Sequence, residues 1–175
     1  MEGAAGDSVA SIPGKPGAPY IYRFRQSEPP SDRFNFQDRE LNFYFKPAPD
    51  ALYIQIENRQ NRPVWIEWER SMFLDPNGRV HKVAHNTTTF EDRFKAQPNT
   101  QIAGLQRYGD YLLPWGYLID PGGSPEQLHI PLLPEDSTSP NYTDRVFGVD
   151  LAMIVEDRPR TYTFRFRVAS VIPAR

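Results

Sequence analysis

The sequence predicts an all-β fold, a two-sheet antiparallel β-sandwich of immunoglobulin-like outline, with eight or nine strands and long loops. Three observations predict it. Apolar and polar side chains alternate over short runs, the period of a half-buried strand. Eighteen prolines are spread along the chain, and each removes a backbone donor that a helix would need. No segment longer than about ten residues keeps a helical period. With 175 residues and 13% aromatics, the chain is long enough to bury one proper core.

Residues 1–18 are small and rich in Pro and Gly, and read as a flexible leader. The sandwich domain is expected over 19–175. Tyr20, Tyr22 and Phe24 share one strand face, with Arg23 and Arg25 on the other. Leu41, Phe43 and Phe45 repeat the alternation, as do Leu52, Ile54 and Ile56. A polar turn at 58–63 leads into Val64-Trp65-Ile66-Glu67-Trp68-Glu69. There Trp65 opposes Ile66 and Trp68, so the strand is covered on both sides or one aromatic awaits a loop. Asp75-Pro76-Asn77-Gly78 is a strong turn, Pro fixing φ and Asn-Gly accepting φ > 0, and it predicts a hairpin over 72–84. Residues 86–106 read as a long polar loop with a short strand near Ile102. The run 108–119 is aromatic, and Pro114 and Gly116 keep it from being a long regular strand, so it reads as a loop. Pro131 places the apolar run 128–133 at an edge. Two last strands are expected over 147–155 and 162–168.

Composition excludes several classes of chemistry. Twenty basic residues against 22 acidic ones leave a net charge of −2, without the basic footprint of a nucleic-acid binder. No apolar run approaches the roughly 20 residues that span a bilayer, and Met1 to Pro19 holds no hydrophobic segment of the signal-peptide kind. Without Cys there are no disulfides, no thiolate nucleophile and no zinc-thiolate site.

The remaining motifs favour structure over catalysis. His81 and His85 share a strand face about 13 Å apart, too far for one zinc ion. His129, between Leu128 and Ile130, reads as a hydrogen-bonded edge histidine. The turn at Asp75 opens like a calcium loop but lacks the closing glutamate, since position 86 is Asn. No Gly-x-Ser-x-Gly is present, and Gly122-Gly123 lacks the Lys that a phosphate loop requires. Glu67 and Glu69 form a carboxylate pair by spacing, the one feature that suits glycoside hydrolysis. Arg23, Arg25, Arg165 and Arg167 would share one face if the first and last strands were neighbours, to grip an anion or to be neutralised by acids alongside. No motif points to a cofactor or a metal.

One region suits contact with a ligand. Tyr108, Tyr111, Trp115 and Tyr117 are dense aromatics, fit for stacking on a sugar or for a protein hot spot. The same residues would equally pin a loop onto the core.

The run from Pro63 to Gly78 resembles a pattern in uncharacterised bacterial envelope proteins, many of them lipoproteins. In those, a strand of the form apolar-x-Trp-Asp-x-Ser-x-Phe-x-Asp-x-x-Gly precedes Val-x-His, here Val83-Ala84-His85. A late Tyr-x-Phe-x-Phe-x-Val strand closes the domain, here Tyr162 to Val168. The resemblance spans residues 40–170. Glu69 stands where Asp is usual, and the lipid-bearing Cys is missing, as truncation just after it would leave the chain. The resemblance implies a β-rich fold in the periplasm or cell envelope and carries over no catalytic residue. Three functions follow as expectations. The first is a non-catalytic envelope adaptor, structural or protein-binding, whose partner is another envelope protein or a wall glycan. The second is a carbohydrate-binding module using 108–119. The third is a hydrolase with an unrecognised carboxylate site.

Overall fold

A computed structural model describes residues 6–9 and 20–174. Fifteen strands lie among the described residues. The first eight are β1 (Gly6–Val9), β2 (Tyr20–Glu28), β3 (Pro30–Ser31), β4 (Asn35–Gln37), β5 (Leu41–Pro47), β6 (Leu52–Asn58), β7 (Val64–Ile66) and β8 (Met72–Leu74). The others are β9 (Val80–Ala84), β10 (Thr100–Ile102), β11 (Arg107–Pro114), β12 (Leu118–Ile119), β13 (Leu128–His129), β14 (Val146–Val155) and β15 (Arg158–Pro173). Three short 3₁₀ turns punctuate them at Trp68–Arg70, Trp115–Tyr117 and Ser139–Tyr142. The described residues contain no helix long and apolar enough to cross a membrane.

The all-β expectation holds, and every pairing is antiparallel. The division into two sheets does not. Thirteen strands form one continuous sheet in the order β1-β2-β15-β14-β8-β9-β11-β6-β5-β4, with β3, β7 and β10 as side branches, and it curls into a nearly closed barrel. The reason lies at β9. Val80 to Lys82 pair with β8, while Val83 and Ala84 pair with Pro114 and Leu113 of β11. One strand thus turns a corner and joins the edges that would have separated two layers.

Alternation sets the interior. Tyr162, Phe164 and Phe166 of β15 face Phe43 and Phe45 of β5, with ring centroids 4.5 to 5.1 Å apart in the closest pairs. Each of these rings contributes roughly 1.5–3 kcal/mol on leaving water. A polar clasp closes one end. Arg160 reaches Glu40 at 3.0 Å and Asp38 at 3.4 Å, and the Tyr162 hydroxyl donates to Asp38 at 2.7 Å. Burial first, then Asp38, raises the Tyr162 hydroxyl above its ordinary value.

The last two strands form one hairpin through Glu156 and Asp157, both at positive φ, which matches the twist of a two-residue hairpin turn. Gly148 on β14 lies so close to the Phe164 carbonyl that no side chain fits there. Between β7 and β8 the ladder to β14 is broken by the turn Trp68–Arg70. The buried Ser71 hydroxyl fills the gap, donating to the Glu67 carbonyl at 2.9 Å and accepting from Ala152 N–H at 3.0 Å.

The first and last long strands, β2 and β15, are indeed neighbours. Arg25 stands opposite Arg167, and Arg165 pairs with Asp150 of β14 at 2.9 Å, so an acid on the adjacent strand takes up part of that charge. Of the stretch read as a leader, Gly6–Val9 pairs with Ile21 to Phe24 as β1; its remaining residues lie outside the described ones.

A second correction concerns 108–119. Residues Arg107–Pro114 are an eight-residue strand set between β6 and β9, not a loop. Pro114 ends that strand instead of interrupting it. Gly116 follows in a 3₁₀ turn because the His81 ring occupies the space where a Cβ would sit.

Candidate functional site

Strand alternation distributes the four predicted aromatics over different surroundings. On β11, Tyr108, Asp110 and Leu112 point toward the interior, and Gly109 and Tyr111 point out. Tyr108 is half-buried and its hydroxyl donates to the Asp110 carboxylate; burial, then that carboxylate, raises its pKa. Trp115 is half-buried against Phe94, ring centroids 5.4 Å apart. Tyr117 is buried and meets the His81 ring edge-on at 5.7 Å; burial, then Asp75, pushes its hydroxyl up to about 12. Tyr111 alone of the four lies open, at 62% exposure. It leans on Tyr53 of β6, directly across the ladder, with centroids 5.1 Å apart.

Tyr111 borders a cleft of about 430 Å³, a size typical of small-ligand sites. Its base is apolar and buried: Ala51, Ala84, Leu113 and Leu118. Its polar lining comes from Asp50, His85, Asn86, Thr88, Gln127 and His129. The β12–β13 ribbon supplies one wall, pairing Leu118 with His129 and Ile119 with Leu128. The polypeptide after β9 supplies the other.

Most of this lining is held by the protein itself. Gln127 donates to the Ile119 and Leu128 carbonyls at 2.6 and 2.8 Å and accepts from Phe90 N–H at 2.8 Å. Thr88 donates to Gln97 at 2.7 Å and accepts from His85 N–H at 3.1 Å. His129 Nδ1 lies 2.9 Å from the Ile130 carbonyl. A carbonyl only accepts, so Nδ1 carries the proton and Nε2 is the ring's acceptor in its neutral form. That Nε2 sits 3.7 Å from Asp50.

Beneath the cleft lies a buried polar knot. His85 stacks flat on Trp68, centroids 4.1 Å apart, and its Nδ1 is 3.4 Å from Asp110. Asp110 also accepts from Asn86 N–H at 3.0 Å and Tyr111 N–H at 2.7 Å. Trp68 donates its indole N–H to Thr100 at 2.7 Å. The knot thus fixes His85 and Tyr111 together.

No family model, curated protein or solved structure matches the chain.

The other features singled out from the sequence fall elsewhere. Glu67 lies just past β7, as the cap of the 3₁₀ turn, and Glu69 lies within that turn, bonded to Lys82 at 3.2 Å, so they are not alternate positions of one strand face. Neither carboxylate lines the cleft beside Tyr111 or the three clefts lined by Tyr142, Lys95 and Glu126. His81 bonds Asp75 at 2.8 Å within its own hairpin. Among the described residues no three His, Asp or Glu side chains converge to hold a metal ion.

Sequence reasoning missed Tyr53, Asp110 and the place of His85 between Asp110 and the cleft. Asp110 carried a signal: a carboxylate at an inward register between Tyr108 and Leu112 must find partners inside. Tyr53 carried another, as an aromatic at an outward register.

Proposed function

We propose that this protein is a non-catalytic binding module of the bacterial cell envelope that takes a carbohydrate at the cleft beside Tyr111. The observation that carries this reading is the exposed Tyr111 ring, braced by Tyr53 at the rim of a cleft that combines polar walls with an apolar base. A sugar presents an apolar ring face and an edge of hydroxyls. A braced aromatic receives the face at little entropic cost, since the ring is already ordered. Hydroxyls and amides on the rim read the edge. The envelope assignment is supported by the resemblance of residues 63–85 and 162–168.

A glycan array that includes peptidoglycan fragments, followed by calorimetric titration, tests the reading. Tyr111→Ala is expected to weaken binding by about tenfold or more, the scale of an aromatic anchor, with stability changed by less than about 0.5 kcal/mol. Binding that is indifferent to Tyr111→Ala, or absent for all glycans, would overturn it.

A second reading, the protein adaptor, is favoured by Phe94. This ring is 75% exposed, meets Trp115, and is capped by Arg93, whose guanidinium also covers Phe90. Aromatic and arginine clusters of this kind are what protein hot spots are made of. Cross-linking through a photoreactive residue at position 94 in envelope material distinguishes it, because a glycan would leave no protein adduct.

A further inference from the structure

We infer that the cleft selects an N-acylated amino sugar over a plain or a free-amine sugar, an inference that rests on the carbohydrate reading above. The argument turns on which polar groups remain available. Gln127 and Thr88 are already committed to protein partners. His85 is turned to Asp110 through Nδ1, and what is left facing the cleft is the rim pair of His129 Nε2 and the Asp50 carboxylate, 3.7 Å apart, the Tyr111 hydroxyl, and the Asn86 amide, whose side chain makes no hydrogen bond among the described residues. Behind them stands the apolar base of Ala51, Ala84, Leu113 and Leu118.

A hydroxyl pressed onto that base would give up its water partners and gain none. An acetamido group fits both parts. Its methyl covers the alanines and leucines, its N–H faces acceptors of the Asp50 and His129 kind, and its carbonyl accepts from the Asn86 amide. Two small residues, Ala51 and Ala84, leave the volume for that methyl, since larger side chains there would fill the base.

The test compares three β-1,4-linked tetrasaccharides of equal length by calorimetry: one fully N-acetylated, its fully deacetylated counterpart, and the glucose tetramer. The acetylated chain is expected to bind at least tenfold more tightly than either. Ala84→Leu, which grows into the cleft, should abolish that difference; Asn86→Ala, on the exposed rim, should reduce it severalfold and serves if Ala84→Leu fails to fold. Equal affinity for the acetylated and glucose chains, with sensitivity to Tyr111→Ala retained, overturns the acetamido assignment and leaves the carbohydrate reading standing. Tighter binding of the deacetylated chain would make Asp50 a cation receptor and overturn it too. No binding of any of the three sinks it outright.

Discussion

Each of the three histidines lies beside an aspartate, and the two pairs at His81 and His85 do different work. Asp75 and His81 lie in one hairpin, six positions apart, 2.8 Å from each other. The Asp75 carboxylate also accepts from Asn77 and Arg79 N–H at 2.8 and 3.0 Å, so the pair ties a turn to its own returning strand. Asp110 lies on β11 and His85 just past the end of β9, and the Asp110 carboxylate holds three further donors beneath the candidate cleft. The same chemistry is a local clasp in one place and a long-range support in the other. What differs is how much structure rests on each carboxylate.

Breaking the larger support should cost most. Asp110→Ala orphans the Asn86 and Tyr111 N–H groups and the Tyr108 hydroxyl in a buried site, and a loss of about 3–4 kcal/mol is expected in urea unfolding. Glycan affinity should fall with it, because Tyr111 and His85 lose their common anchor. Asp75→Ala is expected to cost about 2 kcal/mol, the scale of a charged hydrogen-bonded group in a turn, with glycan affinity unchanged. If both variants weakened binding equally, the contrast between clasp and support would fail.

A gentler probe touches only the local pair. Gly116→Ala brings a Cβ against the His81 ring. About 1 kcal/mol of destabilisation is expected, with no change at the cleft.

The smallest effect is pH dependence. Burial pulls the Asp75 pKa upward, but the Arg79 and Asn77 N–H groups and His81 outweigh it, and the group titrates below its ordinary value. A depressed carboxylate contributes stability that is fully present above the unfolded aspartate pKa and is lost as pH falls through the lower folded value. Unfolding free energy measured from neutral to acid pH should therefore decline through that window, and less steeply in Asp75→Asn. An unchanged slope would show that Asp75 does not carry it.

Much of this architecture was written in short stretches of chain. Leu41, Phe43 and Phe45, then Leu52, Ile54 and Ile56, are buried where their alternation put them. Asp75-Pro76-Asn77-Gly78 turns the predicted hairpin, with Gly78 at positive φ. At 108–119 the structure departs from the loop expectation because Pro114 and Gly116 do not break the whole segment. One ends a strand and the other makes room for a ring from β9, a partner distant in sequence. Of the four aromatics named from the sequence, Tyr111 lies open beside the candidate cleft, and what exposes it is the outward strand register that a loop reading leaves out.

The sequence by itself determined which side of each strand faces the interior, since side-chain direction follows from a period of two and needs no partner. Tertiary structure alone decided which edges meet, so that β9 joins both halves into a barrel and His85 is brought beside Asp110. Backbone hydrogen bonds between strands are the same for almost any sequence, and the choice among partners falls to packing across the whole core.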